Sequence, residues 1–385
     1  MVDLQELETF LIEYRRNMHR HPELSHQEYQ TTENIRQLLL SHGVTIIDTP
    51  LETGLIAQIE GAEAGPTIAL RADIDALPII EQSDVSFVSE NNGVMHACGH
   101  DFHTSVILGA TILLNQQKEQ LKGNVLVIFQ AAEEVAQGAA KVLATGVLDE
   151  VKAVFGFHND PSLPVGTLGT KVGELTAAVD RFEIIVKAEG AHGAKPHEGV
   201  DPLIVLAQII QAFQPIISRN LAPDSHAVLS ITQVHSGETW NVIPESAYLE
   251  GTVRNFSAEN REKVEQRIRK ILEGIALANE IEIELIWHAS CPSVTNDEKW
   301  TAVSLEVAES VGYDTRIVKE SAIGEDFAYY QEKIPGSFVM IGSGGPYELH
   351  HPKFKVDDTA LFPAVKYFEA LVLNVLKQTV DSFFN

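Results

Sequence analysis

Cysteine and basic residues are scarce in this chain of 385 residues. Its two cysteines, Cys98 and Cys291, are too few for a disulfide framework. We expect both thiols to stay reduced, as in the cytosol. The 28 Lys and Arg stand against 54 Asp and Glu, which gives a net charge of −26. Because this charge repels phosphate backbones and anionic membrane surfaces, we expect neither a nucleic acid nor a membrane as partner.

Targeting segments and long apolar runs are also missing. The opening MVDLQELETF has neither the basic nor the apolar region of a signal peptide. No apolar run approaches the roughly 18 residues of a transmembrane helix. We therefore expect a cytoplasmic protein. GxGxxG, GxxxxGK[ST], GxSxG and HExxH are absent too, so nothing favours a dinucleotide, P-loop, serine-hydrolase or helix-borne zinc-protease site.

The composition, with 44% apolar residues, is that of an ordinary globular protein. The chain is long enough for two or three domains. Short strands alternate with helices over most of its length, which predicts an α/β fold with a mostly parallel sheet and helices on both faces. Residues 175–289 instead follow a β-α-β-β-α-β order, typical of a ferredoxin-like domain. We predict a catalytic domain of residues 1–174 and 290–385, with the ferredoxin-like domain inserted.

The densest chemistry is the stretch MHACGHDFHT. Within eight positions it carries five residues of metal-ligand type: His96, Cys98, His100, Asp101 and His103. Thiolate, imidazole and carboxylate together favour zinc or a similar transition metal over Mg²⁺ or Ca²⁺. With a single cysteine in the stretch, a structural Cys₄ zinc site is excluded.

Further candidates stand where a predicted strand ends or a loop follows one. They are Asp73 after TIALRAD, Glu133 and Glu134 after GNVLVIFQ, His158 at the end of AVFGFH, and His350 and His351 after GSGGP. Ligands in open α/β sheets bind beyond the carboxyl ends of strands. We therefore expect a shared metal centre there, where one of two adjacent carboxylates binds metal and the other is a general base.

At these residues the chain resembles the co-catalytic metallohydrolases that include aminoacylase, carboxypeptidase G and peptidase T. It is most similar to the amidohydrolase branch, with hippurate hydrolases, auxin-conjugate hydrolases and N-acetyl-diaminopimelate deacetylases. Matching motifs run in family order through nearly the whole chain: RRNMHRHPELSHQE, ALRADIDALPI, MHACGHDFHT, QAAEE, GFHNDPSLPVG, GAHGAKPHEGVDP, NVIPE, GTVRNF, GEDFAYY and LHHPKF.

The resemblance implies a role for each matching residue. Two divalent ions (Mn, Zn, Co or Ni) would be held by Cys98 as a bridge and by His100, Glu134, His158 and His350. Glu133 would be the general base, Asp73 would orient a ligand, and His192 would stabilise the oxyanion from the partner subunit. Asn241, Arg254 and Gly324 would contact the substrate. The inserted domain would be a lid and a dimerisation domain, giving a homodimer or a homotetramer.

The function implied is hydrolysis of N-acyl amino acids, or related small amides, through a water activated between the two metals. An exopeptidase of the same family is the alternative, and a non-enzymatic metal or metabolite binder is a more distant one. Two positions depart from the family pattern. Ala131 stands where proline is common, a change that we expect to matter little. Ile323 replaces one glycine before Glu325, which we expect to reshape the pocket. His351 remains an alternative to His350 as the ligand.

Overall fold

The structure, a computed structural model, describes residues 3–377, and these form nine α-helices and sixteen strands. The helices are α1 (Leu4–Arg20), α2 (Tyr29–Ser41), α3 (His100–Gln116), α4 (Gly138–Ala144), α5 (Pro202–Pro215), α6 (Ala258–Asn279), α7 (Glu298–Ser310), α8 (Ala328–Gln331) and α9 (Leu361–Lys377). The strands are β1 (Thr45–Ile47), β2 (Leu55–Glu60), β3 (Glu63–Asp73), β4 (Lys122–Gln130), β5 (Val151–Asp160), β6 (Thr167–Thr170), β7 (Gly173–Glu174), β8 (Ala178–Lys187), β9 (Ala191–His192), β10 (Ala227–His235), β11 (Val242–Ile243), β12 (Ser246–Asn255), β13 (Glu282–Ala289), β14 (Thr295–Asn296), β15 (Asp314–Ile317) and β16 (Gly336–Gly342).

The chain divides into two units. The larger unit consists of the described parts of Met1–Gly173, Thr295–Lys319 and Asp326–Asn385, and the smaller one of Glu174–Val294 and Glu320–Glu325. The predicted catalytic domain includes residues 320–325, whereas in the structure this segment belongs to the smaller unit. The reason is local pairing, since Ser321 N donates to Leu175 O and Ala177 N donates to Ile323 O.

The larger unit is built on a mixed, mostly parallel sheet of eight strands in the order β1-β2-β4-β3-β5-β16-β6-β15. The central pairs β4-β3, β3-β5 and β5-β16 are parallel. The predicted α/β class with a mostly parallel sheet is confirmed. Almost every residue of α3 is buried. This helix is buried on all sides and packs in the core with α1, α9 and the sheet, which fixes its first residue, His100, beside the strand ends.

The smaller unit contains a four-stranded antiparallel sheet in the order β10-β12-β8-β13. With α5 between β8 and β10, and α6 between β12 and β13, its elements follow the β-α-β-β-α-β order. The alternating burial of β8 arises because every second side chain, among them Phe182 and Ile184, faces the helices. On the helices, Phe213 of α5 and Ile268 of α6 close the same core.

Two stretches, 202–220 and 358–377, are long and apolar enough to cross a membrane by length and composition alone. The second stretch is mostly buried, and its Leu361 and Phe368 lie in the core of the larger unit. The first includes α5, whose Ile209 and Phe213 are buried in the smaller unit. Since apolar helices of a protein core pass the same test, we attach no membrane interpretation to them.

Candidate metal centre

Parallel pairing brings several predicted residues to one edge of the eight-stranded sheet. β3 ends at Asp73, which lies directly opposite Gln130, the last residue of β4. The segment from Ala131 to Glu134 follows at once. His158 lies near the carboxyl end of β5. The side chains that follow these strands therefore share one region, as the general rule for open α/β sheets predicts.

The Cys98 thiol lies between two imidazoles. Its Sγ is 3.3 Å from His158 Nε2 and 3.3 Å from His350 Nε2. His158 Nδ1 donates to Asn159 O at 2.8 Å, so its Nε2 is the nitrogen turned to the thiol. The preceding turn needs glycine, because Gly99 has φ 90° and a Cβ there would lie 2.0 Å from Asn159 Oδ1.

His100 and Glu134 each present a buried atom without a hydrogen-bond partner among the described residues. The ring of His100 is held through Nδ1, 3.0 Å from Asp75 O and 3.2 Å from Asp75 Oδ1, while Nε2 has no partner. Glu134 Oε1 has none either and lies 3.9 Å from His100 Nε2. Glu134 Oε2 is 3.5 Å from His350 Nε2. Orphaned buried atoms of this kind call for a missing partner.

These donors fall into two groups that share Cys98. One is Cys98, His100 and His158, and the other is Cys98, Glu134 and His350; within each group the ligand atoms lie within 4.8 Å of one another. One thiol, three imidazoles and a carboxylate suit zinc or a similar transition metal. The residues present therefore fit two cations that share the thiol.

The electrostatics of the centre also favour a cation. Burial raises the pKa of the Cys98 thiol well above its usual range and that of Glu134 to about 7. Burial lowers the pKa of His100, but the carboxylates of Asp73, Asp75 and Glu134 outweigh it and raise this pKa to about 10. These groups therefore retain protons at the positions where a metal needs lone pairs. A divalent cation displaces those protons and neutralises the cluster of acids.

His103 is of a metal-ligand residue type, but both of its ring nitrogens are engaged in hydrogen bonds within the protein. Its Nε2 accepts from Asn159 N at 3.0 Å, and its Nδ1 lies 2.6 Å from Asp73 Oδ1. Burial lowers its pKa to about 4, so the ring is neutral and Nδ1–H donates to Asp73. Both ring nitrogens are used, and His103 positions Asp73.

Glu133 is linked to the core by a buried network that the sequence analysis missed. Its Oε1 accepts from Asp326 N at 3.3 Å. The Asp326 carboxylate accepts from Arg71 Nη2 at 2.7 Å and from Gln130 Nε2 at 2.8 Å. Arg71 Nη1 in turn donates to Asp73 Oδ2 at 2.7 Å. A strand-internal arginine in the apolar run TIALRAD was the available signal, because a buried guanidinium requires buried acids.

Two other members of the MHACGHDFHT cluster belong to neither donor group. Asp101 accepts from Arg15 Nε at 3.1 Å and pairs with His19 Nδ1 at 3.0 Å. His96 is buried, and neither ring nitrogen has a partner among residues 3–377. Burial lowers the pKa of His96 to about 4.

The geometry favours His350 over its neighbour. His350 has φ 64°, a left-handed conformation that is rare for a residue with a side chain, and its Nε2 reaches the Cys98 thiol. His351 instead stacks on Tyr347, with ring centres 4.6 Å apart, and its Nδ1 accepts from Lys353 N. The neighbouring loop is strained as well, since Ala132, just before Glu133, has φ 55°.

The remaining predicted site residues lie in the smaller unit. His192 is exposed and is paired with Val242 between β9 and β11. The backbone of Asn241 is adjacent, since its O accepts from Gly193 N at 2.9 Å. Arg254, on β12, is half-buried and donates through Nη1 to Thr252 Oγ1.

Gly324 and Cys291 are neighbours in the smaller unit. A Cβ at Gly324 would lie 2.7 Å from Val179 Cγ2 and 3.2 Å from Cys291 Sγ, so no side chain fits there without a shift. Cys291 is far from the GEDFAYY motif in the sequence, but folding brings its thiol against the first residue of that motif, Gly324.

With this geometry described, comparison with known proteins is informative. The model of peptidase family M20/M25/M40 matches residues 69–374. The chain belongs to this family. It is 51% identical to an N-acetylcysteine deacetylase of Bacillus subtilis, over 96% of this chain and 97% of the relative. A dinuclear metal-binding M20 peptidase from Bacillus subtilis superposes with a TM-score of 0.88 at 49% identity, covering 97% of this chain and 100% of that one.

A second solved structure, a putative aminohydrolase from methicillin-resistant Staphylococcus aureus, superposes with a TM-score of 0.93 at 32% identity and covers 97% of this chain and 98% of that one. The M20 protein is therefore a metal-dependent hydrolase of amide bonds with a dinuclear centre. The predicted enzyme class, family and metal requirement are confirmed.

Proposed function

We propose that this M20 enzyme removes the acyl group from small N-acyl amino acids, with N-acetylated amino acids as its main substrates. The observation that carries the proposal is the pair of donor groups sharing Cys98, with a second carboxylate, Glu133, beside them. The relatives support it by their names. Besides the 51% identical N-acetylcysteine deacetylase, an N-acetyldiaminopimelate deacetylase of Leuconostoc mesenteroides is 34% identical over 91% of this chain and 93% of the relative.

In this proposal five residues would hold two divalent ions (Mn, Zn, Co or Ni). They are Cys98, which both donor groups share, and His100, Glu134, His158 and His350. When bound, the ions supply positive charge that acidifies water and polarises the amide carbonyl. Asp75 fixes the His100 ring by accepting from Nδ1, which leaves Nε2 for ligation. Asp73 is held by Arg71 and His103, and its Oδ2 lies 3.7 Å from His100 Nε2, so it helps to orient that ring.

Glu133 is the general base. One carboxylate oxygen, Oε1, is held by Asp326 N–H, and the other, Oε2, lies 3.9 Å from His100 Nε2 and so faces the ligand cluster. The carboxylate takes a proton from the attacking water and delivers it to the leaving nitrogen, which turns a poor leaving amide into an amine. An oxygen held by a backbone donor keeps the second oxygen aimed at the site.

The smaller unit supplies substrate contacts in this proposal. Arg254 binds the substrate carboxylate through its planar fork, Asn241 and Gly324 contact the rest of the substrate, and His192 donates to the oxyanion. His192 acts in the site of the partner subunit of a homodimer. We also propose a cytoplasmic location, which suits the reduced Cys98 thiol that the metals need.

The second candidate is exopeptidase activity. It is favoured by a relative named thermostable carboxypeptidase 1 of Saccharolobus solfataricus, 36% identical over 93% of this chain and of the relative. A non-enzymatic binder would lack a ligand or the base, whereas all six residues are present here. The deciding experiment reconstitutes the enzyme with each of the four metals and compares N-acetyl amino acids with dipeptides by HPLC. We expect the acetylated compounds to have the higher kcat/KM, whereas preference for dipeptides would overturn the proposal.

A further inference from the structure

A second cavity lies in the larger unit, lined by residues outside both donor groups. Its volume is about 340 Å³, within the range of small-molecule pockets. The loop before β2, the loop after β4 and α4 surround it. Its apolar wall includes Leu51, Phe129 and Val142, and its polar side chains include His26, Glu52 and Lys141.

Lys141 brings an unusual charge to this cavity. It is exposed at the edge of the lining, and its Nζ donates to His26 Nδ1 at 3.1 Å. His26 Nε2 in turn donates to Gln137 Oε1 at 3.0 Å, which leaves Nδ1 facing the ammonium. The ion pairs found among residues 3–377 do not include Lys141. In a protein of net charge −26, an ammonium without an acid partner is notable.

We propose that this cavity binds a small carboxylate with a branched aliphatic body, whose carboxylate pairs with Lys141 and whose body fills the space against Leu51, Phe129 and Val142. The volume leaves room for roughly ten groups of the size of water, which excludes large ligands. Burial of the apolar body and a charge-assisted hydrogen bond to Nζ provide the affinity. The binding goes beyond the proposed function and does not depend on it, whereas its expected effect on kcat rests on the proposed role of Glu133.

The same chemistry is found in plain carboxylic acids and in free amino acids. Glu52 distinguishes the two sources, because its carboxylate can pair with the ammonium of an amino acid, a group that a plain carboxylic acid lacks. We therefore include both compound types in the test.

We expect a ligand in the cavity to affect the neighbouring metal centre. Ala131 and Ala132 line it and precede Glu133 and Glu134 directly. The loop is held in its left-handed turn by Glu28 Oε1, which accepts from Ala132 N at 2.8 Å. A ligand packed against this backbone restricts its motion and so changes the orientation of the base. The expected kinetic effect is on kcat.

The test is isothermal titration of the metal-loaded enzyme with 3-methylbutanoate and with leucine. Acetate lacks the apolar body and 3-methylbutanamide lacks the charge. We expect saturable binding of at least one of the first two ligands below about 10 mM. Lys141→Met should weaken it at least tenfold, Lys141→Arg should restore most of it, and the matched control Lys152→Met, at an exposed lysine on β5, should leave it unchanged.

Carboxylates can also bind the metals, and kinetics separates the two sites. A carboxylate that binds at the metals raises KM in every variant. A carboxylate that binds in the cavity changes kcat in the parent protein but not in Lys141→Met. Val142→Phe, which fills the cavity, is a second test if circular dichroism shows it folded. Absence of binding, equal binding by Lys141→Met and the parent protein, or equal binding of 3-methylbutanamide would each overturn the proposal.

Discussion

Asp326 donates its backbone N–H to Oε1 of Glu133, although 193 residues separate the two in sequence. The same aspartate is bound through its carboxylate to the buried guanidinium of Arg71. The proposed base is therefore anchored to the central strands of the sheet. Its orientation depends on residues that touch neither metal nor substrate in our proposal.

The first prediction concerns Glu133 itself. Glu133→Gln retains the size and the hydrogen bond from Asp326 but removes the basic oxygen. We expect kcat to fall by roughly 10²–10⁴-fold, since that is the usual contribution of a general base, with the two metals retained. Steady-state kinetics and elemental analysis measure the two properties. A variant with more than half of the parent activity would exclude this role.

The second prediction uses the two thiols as a matched pair. Cys98→Ala should lose at least one metal ion after dialysis, because the ligand common to both donor groups is gone. Cys291→Ser should keep its full metal content, since Cys291 lies in the smaller unit beside Gly324. Elemental analysis of both variants in parallel gives the answer. Two ions per chain in Cys98→Ala would remove the thiol from the centre.

The third prediction concerns the fully buried ion pairs of Arg71. Arg71→Met leaves the carboxylates of Asp73 and Asp326 buried without their cation, which should lower the free energy of unfolding by about 3–5 kcal/mol. Denaturant unfolding measures it, with the exposed Arg316→Met as the control for loss of charge. If both variants unfold at the same denaturant concentration, the Arg71 network is not a stabilising element.

The fourth prediction is a pH dependence that originates at His19. Burial lowers its pKa, but Asp101 and Glu81 outweigh that effect and Arg15 opposes them only weakly, which leaves the pKa at about 9. His96 is the other ring nearby, 6.4 Å away. Because the pKa is raised on folding, the stabilisation is fully present below pH 6.5 and disappears as the pH rises through 9.

The size of that effect is about 3 kcal/mol at most. Unfolding free energies of the parent protein and of His19→Gln should therefore converge between pH 6.5 and 9.5, because the variant has no ring to lose a proton. A constant difference between the two proteins across this range would show that His19 stays neutral in the folded protein.

The fifth prediction tests the proposal that His192 acts in the active site of the partner subunit. His192→Ala and Glu133→Gln should each be nearly inactive alone. In a mixed dimer one site has both the base and the partner's histidine, so up to about a quarter of all sites should recover after random exchange of equal amounts. A mixture that remains inactive, although native mass spectrometry detects mixed dimers, would place His192 outside the partner's site.

Much of the metal centre could be predicted from local sequence. Asp73, Glu133, Glu134 and His158 stand where a predicted apolar strand ends. Parallel pairing gathers such positions at one edge of the sheet, as the direct pairing of Asp73 with Gln130 illustrates.

The part that was missed depends on contacts between distant segments. Nothing near Arg71 in the sequence points to Asp326, which is 255 residues away, and nothing near Cys291 points to Gly324. His103 has the residue type of a ligand, and only its two hydrogen bonds, one to Asp73 and one from Asn159, reveal that both nitrogens are engaged. Such assignments require the three-dimensional arrangement.

The left-handed backbone at Ala132 and His350 has a consequence for protein engineering. A side chain in that conformation costs roughly 1–2 kcal/mol relative to glycine. A library screened for heat resistance alone should therefore enrich glycine at both positions. Glycine at position 132 would gain stability but would hold the adjacent base, Glu133, less firmly. Glycine at position 350 would remove the imidazole next to the Cys98 thiol. Selection for thermal stability alone therefore favours inactive variants, unless catalytic activity is screened at the same time.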